Sequence, residues 1–391
     1  MESRCVFRTG FALCGVAILV LLSSTPAAAL PLPQAIRLSE FVGSRKTTPQ
    51  SHAATLVQTP SGLVAAWFGG KQERDPSVGI WVSRKQSGRW SAPAEVANGV
   101  QASGTRLPTW NPVLFRTSSG QLMLFYKAGP DPQHWWGMLK TSNDNGEHWS
   151  ASRRLPDGVL GPIKNKPVQL ADGAIVSPSS TEGEHWTVHF ERSTDGGASW
   201  QLVVPPVGTP PIEAIQPSLL LHRDGSLQAV GRSKQDKIFS TWSRDGGRSW
   251  SPIHLLDLPN PNSGIDAVVL ADGRSLIVYN PTLHGAQWWD GRGQLSVAIS
   301  ADGEHWRKVL DLENTPGAEF SYPAVIQTHD GLVHVIYTWK RQRIKHVVLD
   351  PRKLSLPVDG PNDPAPGVER RAMNQRAKKI QCKAAQCADA L

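Results

Sequence analysis

The sequence predicts an all-β chain folded as a six-bladed β-propeller, and two independent periods carry that prediction. The first is an eight-residue phrase, Ser-x-Asp-x-Gly-x-x-Trp, which reads SNDNGEHW from Ser142, STDGGASW from Ser193 and SRDGGRSW from Ser243. A shortened copy, SADGEHW, starts at Ser300, and a worn one, SRKQSGRW, at Ser83. The tryptophans that end the five copies are 59, 51, 50 and 56 residues apart, and a regular spacing of this size marks a repeat architecture. The second period is a set of six hairpins. Their turn glycines are Gly62, Gly120, Gly173, Gly225, Gly273 and Gly331, each preceded by a short alternating segment and followed by a mostly apolar run such as LVAAWF, LMLFY or LVHVIY. Six hairpins separated by five phrases make six four-stranded blades.

Within the phrase, each residue type has a turn-building task. The Asp carboxylate accepts hydrogen bonds from nearby backbone amides, Gly takes a positive φ, and Trp is expected to bury between neighbouring repeats. Residues 34–44 (QAIRLSEFVGS) precede the first hairpin and read as a strand that pairs with the last blade and closes the ring, removing a free sheet edge. The composition agrees with an all-β chain: 35 Gly, 31 Pro and 15 Trp in 391 residues, with little that reads as a long amphipathic helix.

Residues 1–29 read as a secretory signal peptide: a basic start at Arg4 and Arg8, an apolar stretch from Phe11 to Leu22, and the small residues Ala27-Ala28-Ala29. The propeller is expected over 30–357 and a Pro-rich linker with a basic tail over 358–391. No later stretch is long and apolar enough to span a membrane. A secreted or periplasmic location follows, and the absence of an N-x-Ser/Thr sequon after residue 29 favours a bacterial route. Cys5 and Cys14 leave with the signal and Cys382 and Cys387 lie in the tail, so packing and strand pairing hold the propeller. The formal charge is +8; setting aside +1 from residues 1–29 and +4 from residues 364–391 leaves +3 for the propeller. The tail reads as a solvated appendage, and an exported chain is not expected to bind nucleic acid. A monomer is expected.

Propeller geometry directs attention to one mouth of the channel. The first strand of each blade starts there, turns at its glycine on the opposite face, and the second strand returns. Nine or ten residues before the turn glycines stand His52, Asn111, Lys164, Gln216, Ser263 and Tyr322. Seven after them stand Gly69, Lys127, Ser180, Arg232, Asn280 and Thr338. Most of these positions are polar although they end apolar strands, and convergent polar groups at one opening mark a candidate site. The Asp-containing phrases fall on the opposite face and read as structural. The twelve histidines are scattered, no His/Cys cluster forms a metal-ligand pattern and a Gly-x-Gly-x-x-Gly loop is absent, so neither a metal nor another cofactor is expected.

The phrases, known as Asp-boxes or bacterial neuraminidase repeats, and these offsets together resemble the sialidase (neuraminidase) superfamily over about residues 40–350. The resemblance implies a carbohydrate substrate bearing a carboxylate held by arginines. Arg232, seven past its glycine, and Arg292, eight before Ser300, match two of them. Tyr322, nine before Gly331, matches the tyrosine nucleophile. Asp75, in the loop GGKQERDPS, matches the loop aspartate that serves as acid/base, with Glu73 beside it as a second candidate. The sequence departs from the family at three places. His52 replaces the first arginine, Gln216 replaces the glutamate that activates the tyrosine, and Lys71 stands where another arginine is common. Lys71, Lys127, Lys164 and Asn111 complete the expected substrate-binding set, and His52 is an alternative acid/base. Trp135-Trp136 and Trp288-Trp289 are candidates for stacking on sugar rings. The activity implied is that of an exo-glycosidase releasing a terminal anionic sugar. A polysaccharide lyase or uronic-acid-specific hydrolase on the same scaffold, and a carbohydrate-binding propeller without catalysis, are the alternatives.

Overall fold

The computed structural model describes residues 33–287 and 289–354. The expected signal peptide at 1–29, the tail at 358–391 and Trp288 lie outside the described residues. The strands form six antiparallel sheets, one per predicted hairpin. Blade 1 contains Gln50–Thr59, Gly62–Gly70 and Gly79–Gln86, with Arg89–Trp90 and Ala94–Ala97 at its rim. Blade 2 runs Thr109–Arg116, Leu122–Ala128, Trp136–Ser142 and Arg153–Arg154, and blade 3 runs Val168–Gln169, Ile175–Glu182, Trp186–Ser193 and Gln201–Val203. Blade 4 is Ala214–Leu221, Leu227–Ser233, Lys237–Ser243 and His254–Pro259; blade 5 is Asp266–Val269, Ser275–Tyr279, Gln294–Ser300 and Trp306–Asn314. Blade 6 takes Phe320–Gln327, Val333–Trp339 and Arg343–Leu349 from the C-terminal side and its fourth strand, Ile36–Phe41, from the N-terminal side. The ring is therefore closed by the predicted segment, and Glu40 of that strand pairs in register with His346.

The core is a series of seams between neighbouring blades, since a lone four-stranded sheet buries too little apolar surface to be stable. Five seams each receive the tryptophan of one Asp-box. Trp149 packs between blades 1 and 2, Trp200 between 2 and 3, Trp250 between 3 and 4, Trp306 between 4 and 5, and Trp90 between 6 and 1. Trp250 stacks on Phe190 with ring centres 3.8 Å apart. Trp200 meets Phe125 edge-on at 6.4 Å. In the box from Ser193, Asp195 Oδ1 accepts from the amides of Ala198 and Ser199 at 3.0 and 2.9 Å, while the amide of Gly197 donates to Ser193 Oγ at 2.8 Å. The register places the boxes opposite the mouth. Ser142 pairs with Leu122, Ser193 with Ile175 and Ser243 with Leu227, all at the hairpin-turn end of their blades.

The first strands are stitched around the channel by side chains that bond the next blade's backbone. Leu114 N donates to Thr55 Oγ1, Gln216 N to Ser180 Oγ, Ala267 N to Ser218 Oγ, Val325 N to Asp266 Oδ2 and Ala53 N to Thr338 Oγ1, at 2.8–3.1 Å. Four first strands also carry a bulge near their start, between His52 and Thr55, Trp110 and Val113, Ile215 and Ser218, and Ser321 and Ala324. At these bulges Ala53, Asn111, Gln216 and Tyr322 take φ values of 50°, 35°, 55° and 53°. Left-handed backbone at a non-glycine residue costs roughly 1–3 kcal/mol, and such strain clusters where a side chain must be aimed. Three of the four stand directly before a proline (Pro112, Pro217 and Pro323).

Candidate active site at the channel mouth

Tyr322 is where the site is built. Its bulge presents the ring to the mouth, where it is 9% exposed. His52 lies against it with ring centres 4.3 Å apart. The guanidinium carbons of Arg232 and Arg292 stand 5.5 and 6.0 Å from the tyrosine ring centre, within cation–π range. Arg232 lies one residue before the end of the second strand of blade 4, donates to the Asn262 carbonyl at 2.9 Å, and also faces the Trp186 ring at 5.5 Å. Arg292 enters from the loop before the third strand of blade 5.

A third arginine, Arg341, joins them from a turn of blade 6 in which Lys340 and Arg341 both have φ of 52°. Glu319 organises this pair. Its Oε1 accepts from Arg292 Nη1 at 3.3 Å and from Ser321 Oγ at 2.8 Å, and its Oε2 accepts from Arg341 Nε at 2.8 Å. Burial opposes ionisation of Glu319, but the two guanidinium groups win and hold its carboxyl below the usual range. Arg341 also donates to Glu73 Oε2 at 2.5 Å. Glu73, Arg74, Glu182, Trp186, Arg232, Arg292, Tyr322 and Arg341 line one cleft of about 390 Å³. Its lining carries four arginines against two glutamates, a surface suited to a carboxylate.

The other residues singled out from sequence distribute as follows. His52 is buried, with Nδ1 2.9 Å from Thr338 Oγ1; burial and then the charges of Arg341, Arg292 and Arg232 push its imidazole well below the ordinary 6.5. It is a neutral ring beneath Tyr322. Gln216 is buried and donates through Nε2 to Glu182 Oε1 at 3.1 Å, while its own Oε1 is buried without a hydrogen-bond partner. Asp75 is turned into its own loop and is absent from the cleft lining. Hydrogen bonds from the Ser77 hydroxyl and amide hold its carboxyl below the usual range. Lys71 is exposed in the same loop and does not line the cleft.

Lys164 is a strut inside the channel rather than a cleft-lining group. Its ammonium donates to Asn165 Oδ1 at 2.9 Å, to the Ile265 carbonyl at 2.8 Å and to the Pro323 carbonyl, tying blade 3 to blades 5 and 6 beneath Tyr322. Burial lowers it to about 7, against the pull of Asp266, yet three acceptors match the three donors of an ammonium. Lys127 is likewise buried between blades 2 and 3, where it donates to the Pro162 carbonyl; burial pushes it down to about 7 while Glu191 pulls it up. Asn111 is buried at its bulge. Trp135 is not an exposed platform, since it packs edge-on against Trp110 at 5.9 Å; Trp136 is covered by Arg154, and Trp289 is 48% exposed. Arg341, Glu182, Trp186 and Glu319 escaped the strand-offset reading. Extending its window two or three residues past Ser180 and Thr338 would have reached Glu182 and Arg341. Among the described residues no group of three His, Cys, Asp or Glu side chains converges as a metal site, and no helix is long and apolar enough to cross a membrane.

Six blades, five of them carrying an Asp-box phrase, with a basic cleft at the mouth opposite the boxes define a sialidase-like propeller. Residues 61–335 match the family model described as the BNR repeat-like domain, and the chain belongs to that family. The fold is shared with the NanB sialidase from Streptococcus pneumoniae (TM-score 0.63, 14% identity, covering 83% of this chain and 72% of that one). It is shared also with an intramolecular trans-sialidase from Ruminococcus gnavus (TM-score 0.64, 14% identity, 81% and 98% covered). A protein of unknown function from Dyadobacter fermentans is similar to the same degree (TM-score 0.65, 16% identity, 80% and 98% covered). Comparison with curated proteins gives no match.

Proposed function

We propose that this chain is an exported glycosidase of the sialidase type, releasing a terminal sugar that carries a carboxylate. The observation that carries the reading is the convergence of Arg232, Arg292 and Arg341 on the cleft that Tyr322 lines. Arg341 supplies from blade 6 the cation that the family pattern draws from the position of His52. The arginines hold the sugar carboxylate, and Tyr322 attacks the anomeric carbon. The basic, apolar and small-residue sequence of residues 1–29 supports export to the secreted or periplasmic space. The test is turnover of nitrophenyl α-glycosides of sialic acid and of a uronic acid, with Tyr322→Phe and Arg232→Ala as the diagnostic variants. Release of nitrophenol that either substitution abolishes supports the reading; full activity of Tyr322→Phe removes it.

One observation favours a second reading. A neutral, buried His52 packs on Tyr322 and an amide occupies position 216, an arrangement compatible with proton abstraction beside a neutralised uronate carboxylate, as in a lyase. An unsaturated product absorbing in the ultraviolet would select it.

A further inference from the structure

If the cleft cleaves a glycosidic bond, a reading on which this inference rests, some group must protonate the departing oxygen. The acidic side chains near the mouth differ in what holds them. Glu73 is ion-paired to Arg341, and Glu319 is shared between Arg341 and Arg292. Asp75 accepts from its own loop at Ser77, and Asp131 from its own loop at Gln133 and His134. Glu182 is held differently, by a neutral amide: Gln216 Nε2 donates to its Oε1 at 3.1 Å.

Its position is distinctive as well. Glu182 ends the second strand of blade 3 and pairs across the hairpin with Trp186, so its side chain stands at the rim of the mouth. It lines the arginine cleft, and it also lines a neighbouring cavity of about 450 Å³ that runs outward over Leu160, Thr187, Leu202 and Val204. Besides Glu182, the titratable side chain lining that second cavity is His189, and neither lysine nor arginine lines it. Leu202 and Val204 are each about half exposed, an apolar floor open to solvent. A glycoside whose carboxylated sugar occupies the arginine cleft therefore places its bridging oxygen where the arginine-lined cleft and the second cavity meet, beside Glu182.

We propose that Glu182 is the catalytic acid/base of this cleft, positioned by Gln216, and that the second cavity, floored by Leu202 and Val204, receives a neutral leaving group with an apolar face. In the first step the Glu182 proton passes to the bridging oxygen as the anomeric C–O bond breaks and its electron pair stays on that oxygen. Tyr322 Oη bonds to the anomeric carbon and its proton passes to solvent. In the second step water adds to that carbon, the C–Oη pair returns to the phenol oxygen, which regains a proton from solvent, and the Glu182 carboxylate takes the proton of the water. Gln216 suits this assignment better than a glutamate would, because a second carboxyl 3.1 Å away would compete with Glu182 for one proton. Burial, which raises the Glu182 carboxyl against the opposing effects of Arg232 and the Gln216 amide, keeps the proton available to higher pH.

The experiment compares Glu182→Gln with the parent protein on two glycosides of the same carboxylated sugar, one with a nitrophenyl leaving group and one with an alkyl leaving group. Nitrophenolate needs little protonation, so kcat/KM should fall about 100- to 10,000-fold on the alkyl glycoside and far less on the nitrophenyl one. The high-pH limb of the kcat/KM profile should vanish in Glu182→Gln, and Gln216→Ala should shift that limb while retaining turnover. Unchanged affinity for a carboxylate inhibitor and an unchanged Tm show that the cleft is intact. Where Glu182→Gln lowers the Tm, Glu182→Asp replaces it, with the limb retained and the rate reduced. Equal loss on both substrates, or parent-like rates in Glu182→Gln, overturns the assignment while Arg232→Ala and Tyr322→Phe continue to report on the glycosidase reading. A parent protein that hydrolyses neither glycoside, or yields an unsaturated product, overturns both.

Discussion

Replacing Arg232 by Ala tests the carboxylate clamp most directly, and the structure sets the size of the effect. Among the described residues Arg232 makes no ion pair; it donates to the Asn262 carbonyl, and its flat faces meet Trp186 and Tyr322 at 5.5 Å. A ligand carboxylate therefore meets a guanidinium that no carboxylate contacts directly, with Glu182 acting on it only at longer range. Arg341, in contrast, donates to two carboxylates, Glu73 and Glu319, and Arg292 to one, Glu319. A charge-assisted contact contributes about 1.5–3 kcal/mol, which is roughly 10- to 150-fold in Kd. Arg232→Ala should fall in that range, Arg292→Ala below it and Arg341→Ala lowest. Arg232→Lys should recover only part of the loss, since a point charge cannot reproduce a two-pronged fork. The assay is calorimetric titration with a carboxylated sugar and with its methyl ester, alongside Tm to confirm folding. The acid should lose affinity and the ester should not. Equal losses for acid and ester, or Arg341→Ala as the most damaging variant, refutes the argument from compensated charge.

Tyr322→Phe removes one oxygen from a packed ring, so kcat should collapse while inhibitor Kd changes less than about threefold, a contrast that steady-state kinetics and titration together read. Trp250→Ala deletes a buried ring stacked on Phe190 and should cost about 3–5 kcal/mol in chemical denaturation. Asp195→Ala should lower the Tm without altering ligand affinity; a selective loss of binding by either Asp-box variant would contradict their place opposite the mouth. Acid should weaken the closure of the ring. His334 bonds His346, which bonds Glu40 of the closing strand, and Lys85 and Asp330 lie nearby. Burial and the charge of His346 lower His334 from 6.5 to about 4, so the unfolded chain takes a proton that the folded one refuses between those values. Stability attributable to His334 is lost as pH falls through that window, by at most roughly 3 kcal/mol. Denaturation midpoints from pH 7 to 4 should show the slope, and His334→Gln should flatten it.

The architecture was legible in the sequence because the signals that specify it are local and repeated. Asp195, Gly197 and Trp200 form one turn, and the same Asp-centred turn recurs at Asp144, Asp245 and Asp302, so the phrases together with the six hairpins count the blades and place the tryptophans between neighbouring repeats. Strand geometry carried the reading as far as the mouth. A hairpin pairs residues at fixed distances from its glycine, and Ile215 opposite Arg232 and Ser321 opposite Thr338 stand where those distances put them. Past the strand ends the reading loses its ruler. Lys164 has the same offset as Gln216 and Tyr322, yet its blade begins later, at Val168, and its ammonium passes beneath the mouth to carbonyls of two other blades. Arg341 reaches the cleft from the turn after its strand and Glu182 from the last residue of its own, and what each meets depends on partners distant in sequence. Glu73 and Glu319 fix Arg341, while Gln216 fixes Glu182. A repeat specifies its own turns and strands through neighbours in sequence. Which charged side chains meet across the channel is decided by partners from 22 to 268 residues away, and that the folded ring determines.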